Sequence, residues 1–407
     1  MRAQIKEVPV NELRVGTYVS ALDRPWIGTP FLFQGFVIQT DEDLKQLQSL
    51  CQTVFIEVTE ADAQSHRPSL PRDLTRSLVQ QLERRIPTDP APLKDELVRA
   101  RSVYSGAREG VAQLFERLKR GGGLDVPHLQ EVVDSMVDSI FRNREAMNWL
   151  AQMKSTDDYL YSHSLGTSVW ALALGRHLGL ERTQLRAVGV GAMLLDIGKT
   201  HLPGELLNTR GPLTDQQWQL VRGHVEESQA LARSVEGVDR DAMDMIQTHH
   251  ERFDGTGYPR QLEGNAIPML GRIAGIVDCY DAMISQRPHA APRSTYDAVR
   301  ELKRLSGTWF QPELVELFVQ AVGVFPPGSI VELNTGEVAI VVAQNRFRRL
   351  RPQIMVVLDA NKQVSKDFTA IDLNTCDVNT ASDQPGLWIS KGLEPGAYGV
   401  DPMEYFL

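Results

Sequence analysis

Three textures of hydrophobic and polar positions follow one another along the chain. Over residues 4–58, short apolar runs such as "GTYVSAL" (16–22) and "FLFQGFVI" (31–38) stand between Gly, Pro and Asp breaks, the pattern of short strands. "DEDLKQLQSL" (41–50) has helical spacing behind an acidic start and precedes a strand-like "TVFIEV" (53–58). Residues 61–92 are polar and proline-bearing ("SHRPSLPRD", "IPTDPAP"), as a linker with one helix inside it would be. From 93 to 322 the spacing is helical almost throughout, as in "LKDELVRARSVYSGAREGVAQLFERLKR", "LQEVVDSMVDSIFRNREAMNWLAQ" and "SVWALALGRHLGL". The interruptions are short and glycine-rich, which favours a compact bundle. After "FPPGS" (325–329), "IVELNTGEVAIVVAQ" and "QIMVVLDANKQ" read as strands around Asn/Gly and Asp/Asn turns. The expectation is a mainly α protein: a small β-rich N-terminal module (1–60), a linker (61–92), a helical core (93–322) and a small β-rich C-terminal module (326–407).

Composition narrows this picture without redirecting it. The 407 residues, 42% apolar and 23% charged, suit a multi-domain globular protein. No apolar run reaches bilayer length and the start lacks a signal-peptide core, so a cytoplasmic protein without membrane insertion is expected. Cys51, Cys279 and Cys376 match no zinc spacing and read as reduced, structural thiols. A net charge of −9 argues against a broad DNA or RNA surface, while leaving room for a small phosphate ligand in a local basic cluster.

The candidate chemistry collects in the helical core. His163 begins one helical run, Asp196 closes the next, and His224 lies within "DQQWQLVRGHVEESQALA". "THHERFDGTGYP" supplies His249 and His250, and "VDCYDAMIS" supplies Asp278. Imidazoles and carboxylates without thiolates suit iron, manganese or another first-row ion better than structural zinc. Neighbouring histidines on a helix diverge by about 100°, so His249 and His250 serve one cluster only at a helix end, which "DGTG" provides. Asp196 follows "AMLL", and a carboxylate at a helix C-terminus meets an unfavourable dipole. A metal would relieve that cost. Lys199, Arg252 and Arg287 each lie a few residues from a proposed ligand and would contact a phosphate. Asp281 shares the face of Asp278 and reads as a supporting residue. The bland alternatives are satisfied helix histidines and exposed basic side chains; His66, His128, His177 and His289 are assigned to surface or packing.

"HHERFDGTGYP", with "DIGK", the upstream "YSHS" and the downstream "VDCYDAMISQRP", resembles the HD-GYP family of cyclic di-GMP phosphodiesterases, a branch of the HD phosphohydrolases. The resemblance runs over about 155–322, and residues 4–58 resemble the small domain of unknown function that often precedes such cores in bacteria. It implies an HD-type bundle with His163, Asp196, His224, His249, His250 and Asp278 as ligands of two divalent ions, Fe or Mn foremost, and with Asp196 bridging them. It makes Lys199 and Arg287 phosphate contacts and places Gly257 and Tyr258 in the substrate site, within the loop formed by Gly255, Gly257, Tyr258 and Pro259; Arg252 is added to that site by its place beside His250. Two positions depart from the pattern. Leu195 stands where the family has the histidine of its name, and Tyr159 where members with a third metal carry glutamate.

The resemblance implies hydrolysis of cyclic di-GMP to pGpG, and onward to GMP, by two ions holding the phosphate and activating a water, with Asp196 and Lys199 as the catalytic residues. Its candidate partners are cyclic di-GMP, diguanylate cyclase-type or other signalling proteins at the GYP loop, and a second copy in a homodimer. Leu195 keeps a second class of function open: a weakened or inactive core that binds cyclic di-GMP or a protein. A third is an HD-type hydrolase of another nucleotide, which the intact GYP segment disfavours. His201, just past the Gly198 turn, is the one nearby nitrogen that could stand in for the missing ligand.

Overall fold

The computed structural model describes residues 4–15, 17–23, 36–38, 41–58, 89–152, 159–209, 211–287, 290–345, 348–365, 368, 370–376 and 386–405. The helix expected inside 61–92 and most of the expected strand 31–38 lie outside the described residues.

The N-terminal module is an antiparallel sheet of β1 (Gln4–Pro9), β2 (Tyr18–Leu22), β3 (Phe36–Val37) and β4 (Thr53–Val58), in the order β1-β4-β2-β3. Helix α1 (Asp41–Leu50) buries Leu47 in the same core as Val8, Val19, Leu22, Ile38 and Val54. Alternation within the strands gives this one-sided burial. The strand and helix expectations for 41–58 are met.

The larger unit begins with α2 (Leu93–Lys119), α3 (Val126–Arg142) and α4 (Arg144–Gln152). The continuous helical pattern of 129–152 is broken at Asn143. Its backbone is extended (φ −154°, ψ 119°), and its Oδ1 accepts from the amides of Glu145 (2.8 Å) and Ala146 (3.2 Å). An Asn that caps the next helix outbids continuation of the previous one. Helix α5 (Tyr159–His177) is buried on nearly every side, as befits the central helix of a bundle. It packs on α6 (Arg182–Leu194).

The chain leaves α6 through Leu195 and Asp196 into a tight 3-10 turn over Ile197–His201, followed by the short α7 (Gly204–Leu207). The single long helix expected around His224 is two helices, α8 (Asp215–Arg222) and α9 (His224–Arg233), separated at Gly223. Glycine is the weakest residue at which to continue a helix short of proline, and the break makes His224 the first residue of α9. Helices α10 (Arg240–Thr248), α11 (Met269–Ile284), α12 (Thr295–Arg304) and α13 (Pro312–Val322) complete the core. Strands β5 (Ile330–Leu333), β6 (Val338–Ala343), β7 (Gln353–Leu358), β8 (Ala370–Asp372) and β9 (Ile389–Gly392) form a second sheet, ordered β8-β7-β6-β5-β9. The β5–β6 hairpin closes at Gly336, whose φ of 90° suits glycine. The expected class, a helical bundle with small β modules at both ends, is what the chain adopts. Among the described residues no helix is long and apolar enough to cross a membrane.

One contact fixes how the 3-10 turn meets α9. The amide of Gly198 donates to Ser228 Oγ (2.8 Å), and a Cβ on Gly198 would lie 2.3 Å from the His224 carbonyl oxygen and 2.6 Å from the Ser228 nitrogen. Both obstacles are backbone, so neither can rotate away. Gly198→Ala is expected to cost about 1–3 kcal/mol, the usual range for overpacking. Differential scanning calorimetry should show a lower midpoint, and an unchanged midpoint would mean the turn can move off α9.

Candidate metal centre

Six side chains from five segments converge in the bundle core. His163 comes from the N-terminal part of α5 and Asp196 from just past the end of α6. His224 opens α9, His249 and His250 follow the last turn of α10, and Asp278 lies on α11. Because α10 stops at Thr248, the adjacent histidines leave the helix together, with ring centroids 4.1 Å apart. Potential ligand atoms of Asp196, His224, His249 and His250 all lie within 4.8 Å of one another, and so do those of His163, Asp196 and Asp278. Asp196 belongs to both groups. Its Oδ1 is 3.1 Å from His224 Nε2 and 3.8 Å from His249 Nε2. Its Oδ2 is 3.5 Å from His163 Nε2 and 2.5 Å from Lys199 Nζ.

The hydrogen bonds behind the rings decide what the rings can do. A carbonyl only accepts, so His224 Nδ1, 2.5 Å from the Val221 oxygen, carries a proton, as does His249 Nδ1, 2.9 Å from the Ile246 oxygen. In the neutral rings the lone pairs are therefore on Nε2, and those two atoms face each other at 3.3 Å. Burial, together with the neighbouring His224, takes His249 down to about 4, although Asp278 and Asp196 oppose this. Burial and the neighbouring histidines likewise hold His250 well below the usual range. Lone pairs opposed in a dry site require a cation between them. Asp196 Oδ1 and His250 Nδ1 are also buried without a hydrogen-bond partner among the described residues. The nitrogen and carboxylate donor set thus fits a divalent first-row metal.

The second group has a different balance. His163 Nδ1 donates to Asp281 Oδ2 (2.7 Å), while Nε2 points at Asp278 Oδ1 (3.0 Å). Trp170 Nε1 (2.9 Å) holds the other oxygen of Asp281. Burial opposes charge on His163, but the hydrogen bonds to Asp278 and Asp281 raise it from 6.5 to about 9. Burial also works against the Asp196 carboxylate, which the Lys199 ammonium beside it holds far below its ordinary range. This group offers one nitrogen and two carboxylates. Leu195, the neighbour of Asp196, is 2% exposed and provides no donor. His201 does not replace it: its Nδ1 is 2.7 Å from Glu227 Oε1 and its side chain is 43% exposed. The Tyr159 ring stacks on His163 (5.2 Å, 15°), occupying the sequence position of the glutamate that would serve a third metal.

The remaining expected site residues surround this core. Arg287 has a buried Nε without a hydrogen-bond partner among the described residues, and its charge reaches Tyr159. The guanidinium of Arg252 lies over the rings of Trp309 (4.8 Å) and Phe310 (5.5 Å). Tyr258 stacks on His250 (4.7 Å, 29°). Gly257 passes so close to the chain that a Cβ would meet the Arg252 nitrogen at 2.3 Å. Sequence reasoning missed Glu251. It is buried, and its carboxylate accepts from the amides of Arg260 (2.8 Å) and Leu262 (3.0 Å), pinning the loop that carries Tyr258. Its place directly after the histidine pair was the available signal.

Comparison with known proteins identifies the family. The HD domain family matches residues 134–314, a domain of unknown function matches 5–129, and a KOW domain associated with HD domains matches 330–377. A cyclic di-GMP phosphodiesterase of Pseudomonas aeruginosa is 32% identical over 375 residues, 91% of this chain and 89% of that protein. The chain belongs to the HD-GYP family. A cyclic di-GMP phosphodiesterase of Thermotoga maritima is 31% identical over 192 residues, 47% of this chain and 52% of that protein. A 3'3'-cGAMP-specific phosphodiesterase of Vibrio cholerae is 27% identical over 285 residues, 68% and 55% of the two chains. The HD family implies divalent metal binding, and the His/Asp cluster is where this member has the donors for it.

Two predictions follow from the hydrogen bonds behind the ligands. In the metal-free protein the charged His163 contributes stability below its ordinary value of 6.5, and that contribution is lost as pH rises through about 9. The same proton competes with a metal for Nε2. Apparent Mn²⁺ affinity should therefore climb with pH toward about 9, and loading at pH 7 should release a proton. Calorimetry in buffers of different ionisation enthalpy reads that release, and a heat independent of buffer would refute it. Asp281→Asn keeps the shape but weakens the hold on the imidazole. Metal affinity should fall about 10–100-fold, the usual effect of losing such a partner, as measured by competition with a fluorescent chelator.

Proposed function

We propose that this protein hydrolyses cyclic di-GMP to linear pGpG, and onward to GMP, at a dinuclear centre held by His163, Asp196, His224, His249, His250 and Asp278. The observation that carries this reading is Asp196, one buried carboxylate shared by two ligand groups. Two Fe or Mn ions suit the donor set. When bound they supply Lewis acidity and a water of lowered pKa.

The chain's own residues have separate tasks. His224 and His249 are held by backbone carbonyls and His163 by Asp281, so each ring arrives oriented. Lys199 is 18% exposed and anchored on Asp196 Oδ2, which leaves its ammonium protons for a phosphate oxygen as charge builds there. Arg287, whose Nε has no partner among the described residues, is the second donor for the phosphate, in the fork geometry that arginine provides. Tyr258, stacked on His250, walls the site on the side of the GYP loop. The names of the relatives in Pseudomonas and Thermotoga support cyclic di-GMP as the substrate.

A second reading rests on Leu195. With one nitrogen missing from the group of His163, Asp196 and Asp278, that position holds its metal more weakly, and a protein that binds cyclic di-GMP without cutting it is the outcome if the ion is lost. Purified protein loaded with Mn²⁺ or Fe²⁺ and given cyclic di-GMP distinguishes the two: pGpG appears, or the nucleotide is recovered intact. Leu195→His should raise metal content toward two ions per chain and increase turnover. Without metal the new buried ring should cost roughly 1–3 kcal/mol, and Mn²⁺ should restore the melting temperature by linkage. Two tight metals already present in the unaltered protein would refute the Leu195 account.

A further inference from the structure

Helix α8 lies beside the centre and has no buried residue. It nonetheless carries Trp218, 46% exposed, and the exposed Arg222. The two are four residues apart and so share a helix face. The Arg222 guanidinium lies over the Tyr258 ring, with Cζ 5.1 Å from its centroid. Tyr258 in turn stacks on His250. Among the described residues Arg222 forms no ion pair, in a chain whose net charge is −9. A ring, not a carboxylate, holds this arginine. A ring contact of this kind uses the cationic charge and accepts none of the N–H groups in a conventional hydrogen bond, which leaves them for a ligand.

The geometry points to Arg222 as a specificity-determining residue that reads the guanine edge of the ligand, with Trp218 as a stacking surface for the base. This deepens the cyclic di-GMP reading and rests on it. Guanine presents O6 and N7 as paired acceptors to an arginine fork, whereas adenine places an amino donor beside N7. A phosphate would also accept the fork. An exposed tryptophan one turn away serves a planar base and has no task on a phosphate, and Lys199 and Arg287 already provide cationic groups for the phosphate.

The test is equilibrium binding to the full-length, Mn²⁺-loaded protein, with bisphosphorothioate analogues of cyclic di-GMP and cyclic di-AMP that resist hydrolysis. The readout is the ratio of the two Kd values. The unaltered protein should prefer the guanine ligand by tenfold or more. Arg222→Lys, which keeps the charge on a helix with no buried residue, should erase about tenfold of that preference, the scale of one bidentate base contact. Trp218→Ala should weaken both ligands alike, and an unchanged affinity removes it from the site. No guanine preference in the unaltered protein overturns the proposal. So does a ratio untouched by Arg222→Lys, or an equal loss for both ligands, which would mark a phosphate contact. Hydrolysis of bis(p-nitrophenyl) phosphate, a diester without bases, is measured separately. Its absence counts against the hydrolytic reading and leaves the Kd ratio to judge Arg222.

Discussion

The structure turns on a carboxylate that has been taken out of water. Asp196 is 1% exposed and stands where a helix ends, so neither solvent nor the local backbone dipole favours its charge. The fold answers with cations and polarised rings: Lys199 on one oxygen, His224 and His249 toward the other, and His163 across from both. An uncompensated buried charge would be intolerable, which is why so many elements end at this point. The 3-10 turn after α6, the break at Gly223 and the stop of α10 at Thr248 each aim a side chain at Asp196.

Helix ends suit this task for a second reason. A residue in or beside a helix terminus finds carbonyls three positions earlier, and His224 and His249 each spend Nδ1 on such a carbonyl. The tautomer is therefore set by the backbone before any ligand arrives. His163 lies inside a helix and spends its Nδ1 on a side chain instead, Asp281, itself held by Trp170 and Ser285. Preorganisation of this kind removes reorientation from the free energy of binding a cation. It also makes the two groups unequal, since one is rich in nitrogen and the other in oxygen. Leu195 leaves a buried hydrocarbon where the family pattern has an imidazole, and carboxylate-rich donor sets suit harder cations than imidazole-rich ones.

The sequence by itself determined a good deal. Apolar periodicity separated a helical core from β modules at both ends, because periods of 3.6 and 2 are local properties. Its resemblance to the HD-GYP family, carried by "YSHS", "DIGK", "HHERFDGTGYP" and "VDCYDAMISQRP", pointed to the histidines and aspartates that the fold brings together. It showed the missing histidine as Leu195, which is a matter of reading letters. The tertiary structure decided what depends on contacts distant in sequence. Asn143 and Gly223 divide runs that look continuous, because Asn143 caps the next helix and glycine is a poor helix former. His201 lies close to Asp196 in sequence yet pairs with Glu227 at the surface. Glu251 looks like an ordinary charged residue until its carboxylate is seen holding two loop amides. Arg222 gains its place only by lying over Tyr258, 36 positions on. Spacing along a chain constrains neighbours within a turn or a strand; which side chains meet across a bundle follows from helix packing, and no single segment encodes that.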